Sequence, residues 1–186
     1  MRNESLLVEG CRKGKRRKQR ELYEHYSPSM FVVALRYAPS RLDAEDILQE
    51  AFVKVFEHIG TFRGDCPLEF WIKRIVINTA LNHNRRKQPA YSFQDVAEIE
   101  NLVSDTEITL SNYNFTELLG FVQKLPERCR LVFNLYAIEG YGHREIAEML
   151  EITEGTSKSQ YARAKLLLQE MIKENERVSY ADARGR

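Results

Sequence analysis

The sequence predicts an all-α protein built from two small helical domains that are joined by an acidic linker. Apolar residues recur at three- and four-residue steps in the first half of the chain and again in its last third. Between these segments, residues 91–114 carry five acidic and no basic side chains and show no sustained helical period. Near the C-terminus, a short helix, a tight turn and a longer helix follow one another, which is the pattern of a helix-turn-helix.

Composition excludes several classes of protein. The 186 residues include 28 Lys and Arg, 27 Asp and Glu, and 43% hydrophobic residues, as in a globular chain. No apolar run approaches the roughly 20 residues of a membrane-spanning helix, and the N-terminus lacks the apolar core of a secretory signal. We therefore expect no membrane insertion. Cys11, Cys66 and Cys129 form neither a disulfide framework nor a zinc knuckle, which favours a cytoplasmic protein.

The near-neutral total conceals an uneven distribution of charge. Residues 1–90 carry 17 basic and 11 acidic side chains, whereas residues 115–186 carry 11 of each. These shifts predict a first domain at 1–90, a linker at 91–114, a second domain at 115–175 and a C-terminal tail at 176–186.

The first domain begins with a strongly basic run at residues 12–20. Its composition suits either a solvated helix face or a surface that faces phosphates. The apolar pattern that follows predicts an amphipathic helix interrupted near Pro28. A clear helix over Asp43–Ile59 has one apolar stripe and acidic residues in its first turn, where they complement the helix dipole. A loop at Phe62–Leu68 leads to a second strong helix over Glu69–Arg86.

One face of this second helix carries amides and cations. Asn78 and Asn82 lie four residues apart although asparagine is a mediocre helix former. Amide and guanidinium groups suit hydrogen bonding to nucleobases and phosphates. A solvated polar face is the alternative for any one residue, and nucleic-acid binding is preferred for the whole set: Lys73, Arg74, Asn78, Asn82, Arg85 and Arg86.

In the second domain the helical period returns at Phe115, and Pro126 opens a further helix that two glycines end. His143–Leu150 and Thr156–Ile172 are predicted to form the helix-turn-helix pair. Small and basic side chains project away from the apolar stripe of the longer helix, which allows close approach to a DNA major groove. Periodicity alone would equally fit a generic helical hairpin. The side chains on this face are Lys158, Ser159, Ala162 and Arg163.

Three ordered blocks resemble the extracytoplasmic-function (ECF) sigma factors of bacterial RNA polymerase, in the wording common in Bacteroidetes-type bacteria: DAEDILQEAFVKVF, FRGDCPLEFWIKRIVINTALNHNRR and LPERCRLVFNLYAIEGYGHREIAEMLEITEGTSKSQYARAKLLL. The resemblance implies sigma region 2 in the first domain and sigma region 4 in the second. It also implies core RNA polymerase and promoter DNA as partners, an anti-sigma protein as a further candidate partner, and no cofactor. The linker would run through the active-site and RNA-exit channels of the polymerase.

The resemblance assigns three sets of residues. The helix that begins at Asp43 would dock on the clamp coiled coil of the largest polymerase subunit through Asp43, Asp46, Gln49 and Glu50. The −10 promoter element would be opened and read by Phe62, Arg63, Lys73, Arg74, Asn78 and Asn82. The −35 element would be read by Thr156, Lys158, Ser159, Ala162 and Arg163, with Arg144 as a phosphate contact.

Four positions depart from the family pattern. Glu151 stands where the turn of the helix pair usually contains Gly, and Ser157 stands where an aliphatic residue is usual. Tyr161 replaces a smaller apolar side chain, and Asn82 lies where many relatives carry Asp. These departures bear on base preference more than on fold.

Other functions remain open at this point. A helix-turn-helix regulator that is not a polymerase subunit would explain the second domain but not the first, and a helical adaptor would show no promoter preference. An enzyme or a metal site is disfavoured because the four histidines are scattered and no HExxH, phosphate-binding loop or nucleophile motif occurs.

Overall fold

The computed structural model of the chain describes residues 2–87 and 115–184. The chain separates into two compact units, residues 1–90 (unit 1) and 91–186 (unit 2). Every regular element in the described ranges is helical, which confirms the predicted fold class. The segment predicted as the acidic linker, 91–114, lies outside the described residues.

Unit 1 is a bundle of four helices. Its elements are α1 (Arg2–Arg12), α2 (Arg16–Tyr37), α3 (Arg41–His58), a 3₁₀ turn (Ile59–Thr61) and α4 (Leu68–Lys87). Helices α2, α3 and α4 pack against one another in all three pairs, and α1 packs on α2. The predicted helices at 43–59 and 69–86 are confirmed, with ends that differ by one or two residues. Fully buried side chains at the centre include Leu22, Met30, Ile47, Val55, Ile72 and Val76.

The predicted interruption near Pro28 is wrong, because α2 runs through this residue. A proline inside a helix removes one backbone hydrogen bond and costs about 3 kcal/mol. Tyr26 and Met30, on either side of Pro28, are both buried in the bundle. Packing on both sides of the proline therefore keeps the two halves in one helix.

Unit 2 contains the helix-turn-helix. Its elements are α5 (Phe115–Lys124), α6 (Glu127–Phe133), a π-helical turn (Asn134–Ile138), α7 (His143–Leu150) and α8 (Glu154–Arg184). A buried apolar cluster that includes Phe121, Leu125, Cys129 and Leu168 joins α5, α6 and α8, and α7 packs against α8. The hydroxyl of Thr153 accepts from the N–H of Thr156 at 3.0 Å, so α8 begins two residues earlier than predicted. It also continues past Ile172 into the predicted tail.

The turn between α7 and α8 has an unusual residue at its end. Glu151 adopts the left-handed conformation, with φ 57° and ψ 46°. The N–H of Ile152 reaches back to the carbonyl of Ala147 at 3.0 Å, as in the helix ending that glycine favours. Glycine adopts this conformation without strain, whereas this chain holds a residue with a side chain here.

None of the helices in the described parts of the chain combines the length and the apolar character that crossing a bilayer requires.

Candidate nucleic-acid and protein interfaces

Helix α4 presents the amide and basic face that the sequence predicted. Arg74 and Asn78 are exposed, and Lys73 lies half-buried with its ammonium 5.2 Å from the ring centre of Phe70. Asn82 is half-buried, and its side-chain amide oxygen accepts from the guanidinium of Arg85 at 2.9 Å. The sequence reasoning did not include Phe70 in this face. In the structure Phe70 is 55% exposed and lies one turn before Arg74. An exposed aromatic ring beside amides and cations is able to stack on an unpaired base.

The loop before α4 is held against the first turn of the helix. The ring of Phe62 lies 5.5 Å from that of Trp71, and Arg63 is exposed at the start of the loop. The structure therefore brings Phe62 to the same end of α4 as Lys73 and Arg74.

Helix α1 holds both ends of this loop. The guanidinium of Arg12 donates to the carbonyls of Ile59 and Phe62, and the carboxylate of Glu4 accepts from the N–H of Leu68 at 3.2 Å. An open pocket lies between α1 and residues 62–67. Arg12 lies 50 residues from Phe62 and Glu4 lies 64 residues from Leu68, so no local pattern could reveal these contacts.

The four acidic and amide residues predicted to dock on the polymerase occupy two different environments. Asp46 and Gln49 are exposed on α3. Asp43 is only 8% exposed. Its backbone N–H and one carboxylate oxygen both bond to the hydroxyl of Ser40, and its other oxygen lies 3.1 Å from Nε2 of His83. Ser40 therefore caps α3, and the Asp43 carboxylate holds the Ser40 hydroxyl and ties α3 to α4.

Glu50 is also engaged within unit 1. Its carboxylate accepts from Lys54 at 2.8 Å and lies 3.5 Å from the guanidinium of Arg86. Lys54 also donates to the hydroxyl of Thr79 at 3.2 Å. The hydrogen bond from Lys54 lowers the pKa of Glu50 despite partial burial, and Arg86 adds to the effect.

The exposed surface of α3 contains two large apolar residues that the sequence reasoning did not select. Leu42 is 73% exposed and Val53 is 56% exposed. They lie four residues before Asp46 and four residues after Gln49, so these four residues share one helical stripe. We call Leu42, Asp46, Gln49 and Val53 the α3 stripe. An apolar and acidic stripe suits a partner with apolar and basic side chains.

The first turns of α8 carry the residues predicted to read DNA, and these residues differ in their exposure. Lys158 is exposed and pairs with Glu154 at 2.7 Å. Ala162 and Arg163 are half-exposed, and the hydroxyl of Ser159 donates to the carbonyl of Thr156 at 3.0 Å. Thr156 itself is buried, and its backbone N–H bonds to the hydroxyl of Thr153 at the start of α8.

Arg144 remains available at the start of α7. It is exposed, and its guanidinium lies 3.7 Å from Glu148, one turn along the same helix. Surface pairs of this kind contribute at most about 1 kcal/mol. A phosphate is therefore able to replace Glu148 as the partner of Arg144.

Polar and aromatic side chains also contribute to the packing of the helix pair. Ser157 is fully buried, and its hydroxyl lies 3.0 Å from Nδ1 of His143. The imidazole stacks on Tyr136 at 4.3 Å, and Tyr161 lies 4.5 Å from Tyr136. Burial lowers the pKa of His143, with a smaller contribution from Lys158, while Glu154 acts in the opposite direction. The departures at Ser157 and Tyr161 thus belong to one contact network.

Within the ranges that the structure describes, no group of three or more His, Cys, Asp or Glu side chains is arranged to hold a metal ion.

Comparison with known families matches both units. The model for sigma-70 region 2 matches residues 22–90, and the model for sigma-70 region 4 matches residues 115–168. The ECF RNA polymerase sigma-E factor of Escherichia coli is 30% identical over 87% of this chain and 90% of its own length. This chain belongs to the ECF sigma factors. The ECF family comprises transcription initiation factors of bacterial RNA polymerase.

Two further relatives are consistent with this assignment. The RNA polymerase sigma-H factor of Pseudomonas aeruginosa is 29% identical over 86% of this chain and 88% of its own length. A solved structure of the sigma factor RpoE with the anti-sigma factor NepR, from Bartonella quintana, has a TM-score of 0.52 at 21% identity. That match covers 83% of this ECF chain and 96% of the other, and it supports the fold.

Proposed function

We propose that this ECF sigma factor joins core RNA polymerase through the α3 stripe and reads its promoter through two separate surfaces. The main support is that family matches cover both units, each of which exposes its own amide or basic face. A helix-turn-helix regulator that acts without the polymerase would need only unit 2. Because the protein works as a subunit of the polymerase, we place it in the cytoplasm.

The −10 surface consists of the polar face of α4 and the loop that precedes it. Recognition of this element requires bases to leave the stack, which leaves aromatic faces and hydrogen-bonding edges to be satisfied. Asn78 offers an exposed amide for a base edge, and Arg74 offers a cation for the backbone. Phe70 adds an exposed ring on which a base can stack. Phe62 and Trp71 hold the loop at this end of α4.

The −35 surface lies on the first turns of α8. Arg163 is the side chain suited to a guanine edge, since guanidinium donors pair with its two major-groove acceptors. Lys158 and Arg144 are exposed cations that suit flanking phosphates. Ala162 leaves room for the helix to approach the groove. We expect the acidic linker to enter basic channels of the polymerase. An anti-sigma protein completes the proposed set of partners.

Run-off transcription tests the proposal directly. Core polymerase from a matching bacterium, with and without this protein, would be given a genomic promoter library. New start sites that share two upstream motifs are the expected result. Failure of a folded sample both to bind core polymerase and to yield transcripts would contradict the proposal.

A double substitution tests the docking surface. Asp46→Arg with Gln49→Arg adds three positive charges to the α3 stripe, and we expect the affinity for core polymerase to fall at least about tenfold through like-charge contacts. Glu50 is left intact because it bonds within unit 1. Glu24→Arg with His25→Arg makes the same change in charge on exposed positions of α2 and is the matched control. Equal affinity of the two double variants would overturn this docking assignment.

A further inference from the structure

The basic run at residues 12–20 spans the turn between α1 and α2, and its cations fall into three groups. Lys13, Lys18 and Arg20 each lie within 3.0 Å of a carboxylate on a neighbouring helical turn. Arg12 is bonded to backbone carbonyls near the −10 loop. The remaining three, Lys15, Arg16 and Arg17, are consecutive and exposed. We call these three residues the basic turn.

The basic turn has no side-chain partner within the part of the chain that the structure describes. The hydrogen bond from Lys13 is the largest cause of the lowered pKa of Glu9, and Lys15 makes the smallest contribution. The first turn of α2 contains no acidic residue. Cations at this end of a helix oppose the helix dipole, so the arrangement lowers stability in the free protein. An arrangement that breaks a local rule without an internal compensation is typical of a functional site.

The conformation of the turn is specified by the backbone. Gly14 has φ +67°, and the N–H groups of Gly14 and Lys15 return to the carbonyls of Cys11 and Gly10 at 2.9 and 3.0 Å. This double hydrogen bond is the Schellman ending of α1, which glycine favours. The three cations therefore extend from an ordered turn.

The position of the turn is fixed relative to the −10 loop. Arg12 bonds to the carbonyls of Ile59 and Phe62, and Phe62 is the first residue of that loop. The chain extends at most about 3.6 Å per residue, so the Cα atoms of the basic turn lie within about 18 Å of that of Arg12. The basic turn is thus close to Arg12, which anchors the start of the −10 loop.

We infer that the basic turn binds backbone phosphates of the promoter DNA beside the −10 element, and that it contributes affinity without base preference. This inference rests on the proposed function. Each phosphate that a cation neutralises releases counterions, so the contribution is expected to weaken as salt rises. The cost of holding three cations together without acids is then offset only in the DNA complex.

The test measures the salt dependence of promoter binding by holoenzyme that contains the full chain. Lys15→Gln, Arg16→Gln and Arg17→Gln would be combined in one variant. The plot of log affinity against log salt has a negative slope. The magnitude of this slope should decrease by about 0.9 for each phosphate that the variant no longer neutralises. Three such phosphates would therefore lower the slope by about 2 to 3, and the weakening should be equal on promoters with different −10 sequences.

A matched control removes the same charge from cations that already have partners. Lys13, Arg20 and Arg41 are exposed and pair with Glu9, Glu24 and Glu45, so changing these three cations to Gln leaves the basic turn intact. The control should change the slope by less than half as much. An equal change in both variants would show a general effect of net charge and overturn the inference.

The remaining outcomes separate the inference from the proposed function. The inference would be overturned if the basic-turn variant left the slope unchanged. It would also be overturned if that variant lost its binding to core polymerase, because the basic turn would then contact protein. If the unmodified chain bound core polymerase but formed no promoter complex, the proposed function itself would fail. The thermal midpoint of the basic-turn variant should be equal or higher, which confirms that it folds.

Discussion

In each unit, polar side chains next to the proposed partner surface bond between helices, but the two units use different chemical groups for this. In unit 1, acidic residues of α3 bond across to α4: a carboxylate oxygen of Asp43 lies 3.1 Å from Nε2 of His83, and Glu50 lies 3.5 Å from the guanidinium of Arg86. In unit 2, a neutral residue fills this role, since the hydroxyl of Ser157 bonds to His143 inside the helix pair. A polar position on a helix therefore does not by itself mark a residue that is available to a partner.

This difference affects how the units respond to mutation. Breaking a buried pair that involves a carboxylate leaves a charge or a strong acceptor without its partner, which is costly. Losing a neutral hydroxyl costs less, because a neutral group loses less hydration on burial. We therefore expect unit 1 to be sensitive at Asp43 and unit 2 to tolerate changes beside its DNA-facing residues.

The largest expected effect is at Asp43. Asp43→Ala removes the carboxylate that accepts from the hydroxyl of Ser40 and lies against His83, so unit 1 should lose about 2–3 kcal/mol of unfolding free energy. Asp46→Ala, on the exposed side of the same helix, should change stability by less than about 0.5 kcal/mol. Denaturant unfolding followed by the fluorescence of Trp71, the single tryptophan of the chain, measures both. Equal stability of the two variants would contradict the assignment of Asp43 to the interior.

A substitution of Arg163 tests the −35 surface of unit 2. Arg163→Ala should cost about 1–3 kcal/mol of holoenzyme binding at one −35 base pair, because one guanidinium pairs with one base edge. Promoters substituted at each −35 position would locate that base pair. A uniform loss on every −35 sequence would instead identify a phosphate contact. Far-UV circular dichroism should show no change in folding.

Glu151 tests the turn that joins the helix pair. Glu151→Gly relieves the left-handed conformation, and unit 2 should gain about 0.5–1 kcal/mol of stability after the greater freedom of glycine in the unfolded chain is counted. Glu148→Gly, inside α7, should lower stability by about 1 kcal/mol. Thermal unfolding followed by amide signals of unit 2 distinguishes the two variants. A loss of stability in the Glu151 variant would refute this account of the turn.

The smallest expected effect is a difference in pH dependence. Burial depresses the pKa of His143 from 6.5, so the stability that its neutral form provides is present above pH 6.5 and is lost as pH falls through the lower folded value. The hydrogen bond from Lys54 depresses the pKa of Glu50 from 4.5, so its contribution is lost only below that pH. As the pH falls, the stability of unit 2 should therefore decrease before that of unit 1. Amide signals of each unit, followed in denaturant from pH 8 to pH 4, would show the order, and earlier weakening of unit 1 would contradict it.

The sequence by itself determined α3, α4 and the helices of unit 2, including the helix-turn-helix, but neither α1 nor the continuity of α2. These features depend on residues three or four apart and on caps within one turn, which can be read directly from the chain. It also identified the amide and basic faces of α4 and α8, since a face of a helix is a local property.

Only the tertiary structure decided which polar residues are available. Asp43 and His83 lie 40 residues apart, and Arg12 lies 50 residues from Phe62. Whether α2 continues through Pro28 likewise depended on the packing of Tyr26 and Met30. Contacts of this kind arise from the packing of whole helices, and helical periodicity carries no information about which side chains then meet.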